Sequence, residues 1–220
     1  MLETEPTTRR ERRIAARQTQ ILEAAARVFS QKGYERATTR EIAAEADVSE
    51  GTLYNYFDSK LDLLIGVAHA YAESVTQNIA AIQADNLADM MAQLLTERFR
   101  SGRERRLFML FLYEARLNPD VHRYYVQEAL HRIIRETEKQ LQALVEAGVM
   151  RPVDPAVAAR AINAAIMGFA ALYEMGAHAS ATGERADLTP EKLGAQVTDI
   201  FLRGLQNPLA ADGGRQGSAV

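Results

Sequence analysis

Apolar residues recur every three or four positions along nearly the whole chain, and no run alternates apolar and polar with the two-residue period of a strand. The first stripe, Ile21, Leu22, Ala25, Val28 and Phe29, predicts a helix from about Ile14 to Gln31. Gly33 follows where a helix C-cap favours a left-handed residue. Thr38-Thr39-Arg40-Glu41 has the spacing of a capping box and starts a short helix that ends near Ala46. After the turn Ala46-Asp47-Val48-Ser49, Ser49 is a good N-cap for a third helix from Glu50 to about Phe57. Ser59 with Asp62 caps a long fourth helix reaching toward Asp85. Further helices are expected at about 86–100, 103–117, 119–147, 155–178 and 190–206. Three of them begin with a capping residue and a proline: Asn118-Pro119, Asp154-Pro155 and Thr189-Pro190. The expected fold class is therefore all-α, with about nine helices.

Organisation follows from the same punctuation. Residues 1–13 are polar and read as a disordered basic arm, residues 14–60 as a small domain of three short, closely spaced helices, and residues 61–206 as a larger helical domain. Residues 207–220 read as a disordered tail, and Ala179–Leu188 as a loop of small and polar residues.

At 220 residues and 47% hydrophobic, the chain can bury a substantial core. No stretch approaches the roughly 18 apolar residues of a membrane span, and Met1–Arg13 has no signal-peptide pattern. Cysteine is absent, which rules out disulfides and thiolate zinc sites and suits the cytoplasm. The net charge is -3, yet Arg9–Arg40 holds nine basic residues against Glu11, Glu23 and Glu35, a local +6. Such a patch attracts phosphate while the negative remainder limits indiscriminate binding. An arginine-rich N-terminus is equally compatible with a solvated tail.

Thr38–Lys60, TTREIAAEADVSEGTLYNYFDSK, carries the most information. Two short helices joined by a tight turn make a helix-turn-helix, whose second helix enters the major groove. Ile42, Ala43, Val48, Leu53 and Phe57 supply the seam between them. The opposite face of the third helix presents Gly51, Thr52, Tyr54, Asn55 and Tyr56. A helical glycine costs about 1 kcal/mol against alanine and makes sense where backbone approaches another surface. Thr52 and Asn55 are candidates for hydrogen bonds to base edges, and the tyrosines offer hydroxyls to phosphates.

The pieces ILEAAARVFSQKGYERATTREIA and VSEGTLYNYF, with the Lys60 that follows, resemble the DNA-binding domain of the TetR family over about Gln18–Leu64. The resemblance implies backbone contacts from Thr38, Thr39, Tyr56 and Lys60, and a recognition helix carrying Gly51, Thr52, Tyr54 and Asn55; Ser49, the N-cap of that helix, is a further DNA-binding candidate. Arg40 becomes an added phosphate or base contact. Asp47 departs from the glycine common in that turn, though aspartate tolerates a left-handed backbone better than most residues. The family also implies double-stranded operator DNA as partner, a homodimer, a small-molecule effector, and usually repression.

For the homodimer there is independent support. Ala156–Leu172 contains eight alanines and Gly168. Ala158, Ala161, Ala165, Gly168 and Leu172 form a 3-4-3-4 stripe, and Leu193, Val197, Ile200 and Gly204 a 4-3-4 stripe. Small residues so spaced let helices pack closely, between subunits or within one. For a largely apolar effector, the candidates are Phe108, Phe111, Leu112, Tyr125, Met167 and Tyr173, residue types that also suit a plain core. Glu114, Asn163 and Glu174 lie among apolar neighbours and either orient a polar ligand group or bond within the protein.

No cofactor is expected, and His69, His122, His131 and His178 lack metal-ligand spacing. With no phosphate loop, nucleophile elbow or metal motif, nothing points to an enzyme. The leading expectation is a repressor that binds a pseudo-palindromic operator as a dimer. The alternative is an effector-independent structural DNA-binding protein of the same fold.

Overall fold

The computed structural model describes residues 8–81, 87–176 and 189–205, which are helical with no strand. The helices are α1 (Arg9–Lys32), α2 (Thr39–Glu45), α3 (Glu50–Tyr54), α4 (Lys60–Ala80), α5 (Leu87–Arg100), α6 (Gly102–Leu117), α7 (Pro119–Val121), α8 (His131–Glu146), α9 (Pro155–Glu174) and α10 (Pro190–Leu205). A π-helical stretch, His122–Leu130, joins α7 to α8 without a break, so the described residues form nine continuous helices. Residues 1–7, the tail 207–220 and the loop expected at 179–188 lie outside the described residues.

Three boundaries differ from expectation, each for a local reason. α1 starts at Arg9 rather than Ile14, so residues 9–13 are helical and not part of a disordered arm. Thr8 and Glu11 form a capping box there: Thr8 Oγ1 accepts from the Glu11 amide at 3.1 Å, and the Glu11 carboxylate accepts from the Thr8 amide at 3.0 Å. α3 ends at Tyr54, because Asn55 and Tyr56 turn tighter, donating to Thr52 O and Leu53 O at 3.2 and 3.0 Å. α9 stops at Glu174 because Gly176 takes φ 76, a conformation that suits glycine.

Contacts divide the chain into two compact units. The first comprises Met1–Tyr71 and Arg106–Ala129, the second Ala72–Arg105 and Leu130–Val220. In the first, Ile21, Phe29, Ile42, Leu53, Leu63, Leu64 and Phe111 are fully buried, each worth about 1.5–3 kcal/mol of apolar transfer. Gly66 on α4 is where α1 approaches: a Cβ there would lie 2.6 Å from Leu22 Cδ2 and 3.4 Å from Phe57 Cε1.

In the second unit, α8 packs on α9 through Leu141, Leu144, Ala159 and Ile162, joined by Met150 and Leu202. α5 packs on α10 through Leu95, Phe99, Leu193 and Val197. That crossing is close enough to require Gly194, where a Cβ would press on Thr96 Oγ1 and come within 2.9 Å of Ala92 O.

The sequence showed no stretch resembling a membrane span, yet α9 has the length and composition of one, with mean hydropathy 1.5. Its alanines raise the hydropathy while carrying little side-chain surface, and 22% of that window is buried.

Candidate nucleic-acid interface

The turn between α2 and α3 is built from backbone chemistry. Ala46 N–H donates to Ile42 O at 2.9 Å, closing α2, and Val48 N–H reaches back to Ala43 O at 3.0 Å. Between them Asp47 has φ 51, the one described non-glycine residue with positive φ. The aspartate that stands in place of the family's glycine thus adopts the left-handed conformation the turn needs. Ser49 then caps α3, its Oγ accepting from Thr52 N–H at 3.0 Å and lying 2.8 Å from Thr52 Oγ1. α1 braces the same corner, with Gln20 Nε2 donating to Ala46 O at 2.7 Å and Arg27 paired with Glu45 at 2.6 Å.

Leu53 points into the core, and Gly51, Tyr54 and Asn55 lie exposed on the other side of α3, with Thr52 and Tyr56 half-buried. A Cβ on Gly51 would meet only Ser49 Oγ, at 3.9 Å, so packing within the chain does not demand a glycine there. Arg40 is exposed and makes no ion pair among the described residues. Thr38 closes the capping box expected of it, exchanging bonds of 3.2 Å with Glu41. A hydrogen bond from Lys32, at 2.7 Å, followed by the Thr38 amide, holds the Glu41 carboxyl below its ordinary range.

One group in this surface was not singled out from the sequence. Thr39 Oγ1 donates to Glu50 Oε1 at 2.6 Å and lies 3.2 Å from Tyr54 Oη. A threonine hydroxyl has one proton and a carboxylate can only accept, so that proton is committed to Glu50 and Tyr54 must donate to Thr39. The proton order Tyr54 to Thr39 to Glu50 is thereby fixed. The sequence signal available was an acid at the first position of the third helix, among the hydroxyls and amide of Ser49–Tyr56.

Lys60 requires a correction. Its expected role was a backbone contact to DNA, but its Nζ donates to Tyr34 O, Ala37 O and Glu35 O at 2.9, 3.1 and 3.3 Å and sits 4.3 Å from the Tyr34 ring centroid. An ammonium has three N–H donors, and all three are used. Lys60 therefore pins the loop that leads into α2. Beside it, Glu114 is only 5% exposed. Burial raises its pKa, Glu35 adds to the rise, and Lys60 opposes it. Burial likewise raises Tyr34, reinforced by the charges of Glu114, Glu35 and Asp62.

The effector candidates divide between the units. Phe108, Phe111 and Tyr125 are buried in the first unit, where Phe111 stacks on Tyr125 at 4.8 Å, while Leu112 is partly exposed. Met167 and Tyr173 are half-buried in the second. Tyr173 lies 4.3 Å beneath the Arg105 guanidinium, which pairs with Glu174 at 2.7 Å and also donates to Phe99 O. Asn163 donates to Thr137 Oγ1 and Ala159 O at 3.1 and 2.9 Å. Glu174 and Asn163 thus bond within the protein.

The two candidate dimer stripes fare differently. On α9, Ala161 and Gly168 are exposed, Ala158 and Ala165 half-buried, and Leu172 48% exposed. On α10, Leu193 and Val197 are 8% and 4% exposed, buried against α5. Their assignment to a subunit interface is corrected: they are core of their own subunit. Ile200 and Gly204 remain exposed.

Capped α2, a left-handed turn and a short α3 with one buried and one open face define a helix-turn-helix DNA-binding protein. Residues 21–67 match the family profile described as bacterial regulatory proteins, tetR family. Residues 85–203 match the profile described as AefR-like transcriptional repressor, C-terminal domain. The chain belongs to the TetR family of transcriptional regulators and is not an enzyme. It is 28% identical over 163 residues to the HTH-type transcriptional regulator HbdR of Aromatoleum sp. strain CIB, covering 64% of this chain and 63% of that relative, less than two thirds of its length. It is 27% identical over 169 residues to the nucleoid occlusion factor SlmA of Photobacterium profundum, covering 69% and 81%. Among solved structures, FadR of Bacillus subtilis in complex with stearoyl-CoA superposes with a TM-score of 0.64 at 21% identity, covering 84% of this chain and 98% of that one.

Proposed function

We propose that the chain is a dimeric repressor that reads a pseudo-palindromic operator with α3 and is released by a small, largely apolar effector. The observation that carries the DNA-reading part is the face of α3 opposite buried Leu53, where Gly51, Tyr54 and Asn55 stand open with Arg40 exposed on α2. In this reading Asn55 and Thr52 contact base edges, and Arg40, Thr38 and Tyr56 contact the backbone. Ser49 and Thr39 set the helices' positions. Lys60 holds the preceding loop. Residues 14–60 are the DNA-binding domain and 61–206 the regulatory one.

α1 extends the contact. Arg9, Arg10, Arg12 and Arg13 are exposed near its N-terminus. Cations at that end oppose the helix dipole, an arrangement that phosphate neutralises. Each phosphate neutralised adds about 0.9 to the salt slope of binding.

Dimerisation is supported by the open face of α9, with Leu172, Phe169 and Gly168, and by Ile200 on α10. An apolar effector is supported by the stearoyl-CoA found with Bacillus subtilis FadR, a protein of the same fold. The second reading, an effector-independent structural DNA-binding protein, is favoured by the nucleoid occlusion factor among the relatives.

Mobility shift on the DNA flanking the chain's own gene, at two salt concentrations, tests the reading. A specific, salt-sensitive shift is expected, relieved by long-chain acyl compounds. Equal affinity for random duplexes counts against an operator, and a specific shift indifferent to apolar ligands favours the structural role.

A further inference from the structure

We infer that Glu50 reads sequence in this interface, its carboxylate accepting the 4-amino group of a cytosine in the major groove. The inference rests on the proposal that α3 enters that groove. A carboxylate on a surface that faces phosphates is repelled by them, so it costs affinity unless a donor meets it there. The duplex offers only two kinds of donor in the major groove, the cytosine 4-amino and the adenine 6-amino groups. Adenine presents its amino group beside N7, an acceptor that repels a second carboxylate lone pair. Cytosine presents its amino group beside a C–H. The carboxylate therefore discriminates between the two.

The geometry leaves one oxygen for this task. Glu50 Oε1 takes the Thr39 proton at 2.6 Å, and no bond to Oε2 is found among the described residues. Because Tyr54 donates to Thr39 and Thr39 to Glu50, the carboxylate is held from two helices before DNA arrives. Glu50 also shares the exposed side of α3 with Tyr54, its neighbour one turn on. A purely structural role, an acid favouring the first turn of a helix, would show in stability and leave base preference unchanged.

The test is selection of binding sites from random duplexes by the full-length protein, its Glu50→Gln variant and its Glu50→Asp variant, with melting curves for each. The native protein is expected to select a cytosine at one position per half-site, where other bases weaken binding about five- to twentyfold. Glu50→Gln should lose that preference in favour of adenine, which an amide reads through N6 and N7, while other positions keep theirs. Glu50→Asp retains the charge but retracts it, and should flatten the same position with an unchanged melting midpoint. Selected sites identical for all three proteins, or lacking that cytosine, overturn the inference while leaving the DNA-reading face intact. If the native protein selects no sequence at all, that proposal falls and takes this inference with it.

Discussion

α9 and α10 carry small and apolar residues at the same three- and four-residue spacing, yet one stripe is largely open and the other partly sealed. On α10 the first half of the stripe, Leu193 and Val197, faces α5 across a crossing so close that position 194 admits only glycine. On α9 the core-facing positions are Ala159, Ile162 and Ala170, and the alternate stripe through Gly168 and Leu172 is left over. Periodicity identifies which residues share a face. It does not say whether the neighbouring helix or another molecule covers that face.

This contrast can be broken most forcefully at Leu193. Leu193→Ala should destabilise the protein by about 2–5 kcal/mol, the range for truncating a buried leucine, read from denaturant unfolding. A loss confined to oligomeric state would return Leu193 to the subunit interface. Leu172→Glu should do the reverse. Its cost to folding of the single subunit should stay within about 0.5 kcal/mol, as for ordinary surface changes. By light scattering it should shift the protein from dimer to monomer. An unchanged mass would leave α9's open face without the assigned partner.

The subtler sharpening concerns Glu114 in the first unit, a buried carboxyl where α10 buries only apolar groups and Thr198. Its folded-state pKa is raised, so the native state holds this proton more tightly than the unfolded chain does. The stability it contributes is present below the unfolded carboxyl value of 4.5 and is lost as pH climbs through the raised folded value. Glu114→Gln has no proton to lose. Melting profiles between pH 4 and 8 should be flatter for the variant, with the variant ahead at the upper end. Parallel profiles would mean Glu114 is solvated well enough not to matter.

The helix-turn-helix was legible because its determinants are local. Thr38 finds Glu41 three residues on, Ser49 finds Thr52, and Asp47 bends the turn by its own backbone. The start of α1 was legible in principle too, since Thr8 and Glu11 have capping-box spacing, but the surrounding arginines suggested a solvated arm. Glu50 and Lys60 were not legible. The Glu50 partner Thr39 is eleven residues away and belongs to a different helix. Lys60 is satisfied by carbonyls 23 to 26 residues earlier, which carry no side-chain signature at all. Resemblance assigned it to DNA, and only the folded loop shows otherwise.

The three-carbonyl cradle of Lys60 also makes that residue a chemical reporter. Acylating reagents need an open approach to the side-chain nitrogen, and a nitrogen engaged by three carbonyls and packed against an aromatic ring offers none. Of the chain's four lysines, Lys32, Lys139 and Lys192 are exposed and should label readily, with Lys60 spared. Peptide mapping after brief acetylation would then count the molecules in which the loop before α2 has come loose, without labels, tags or DNA.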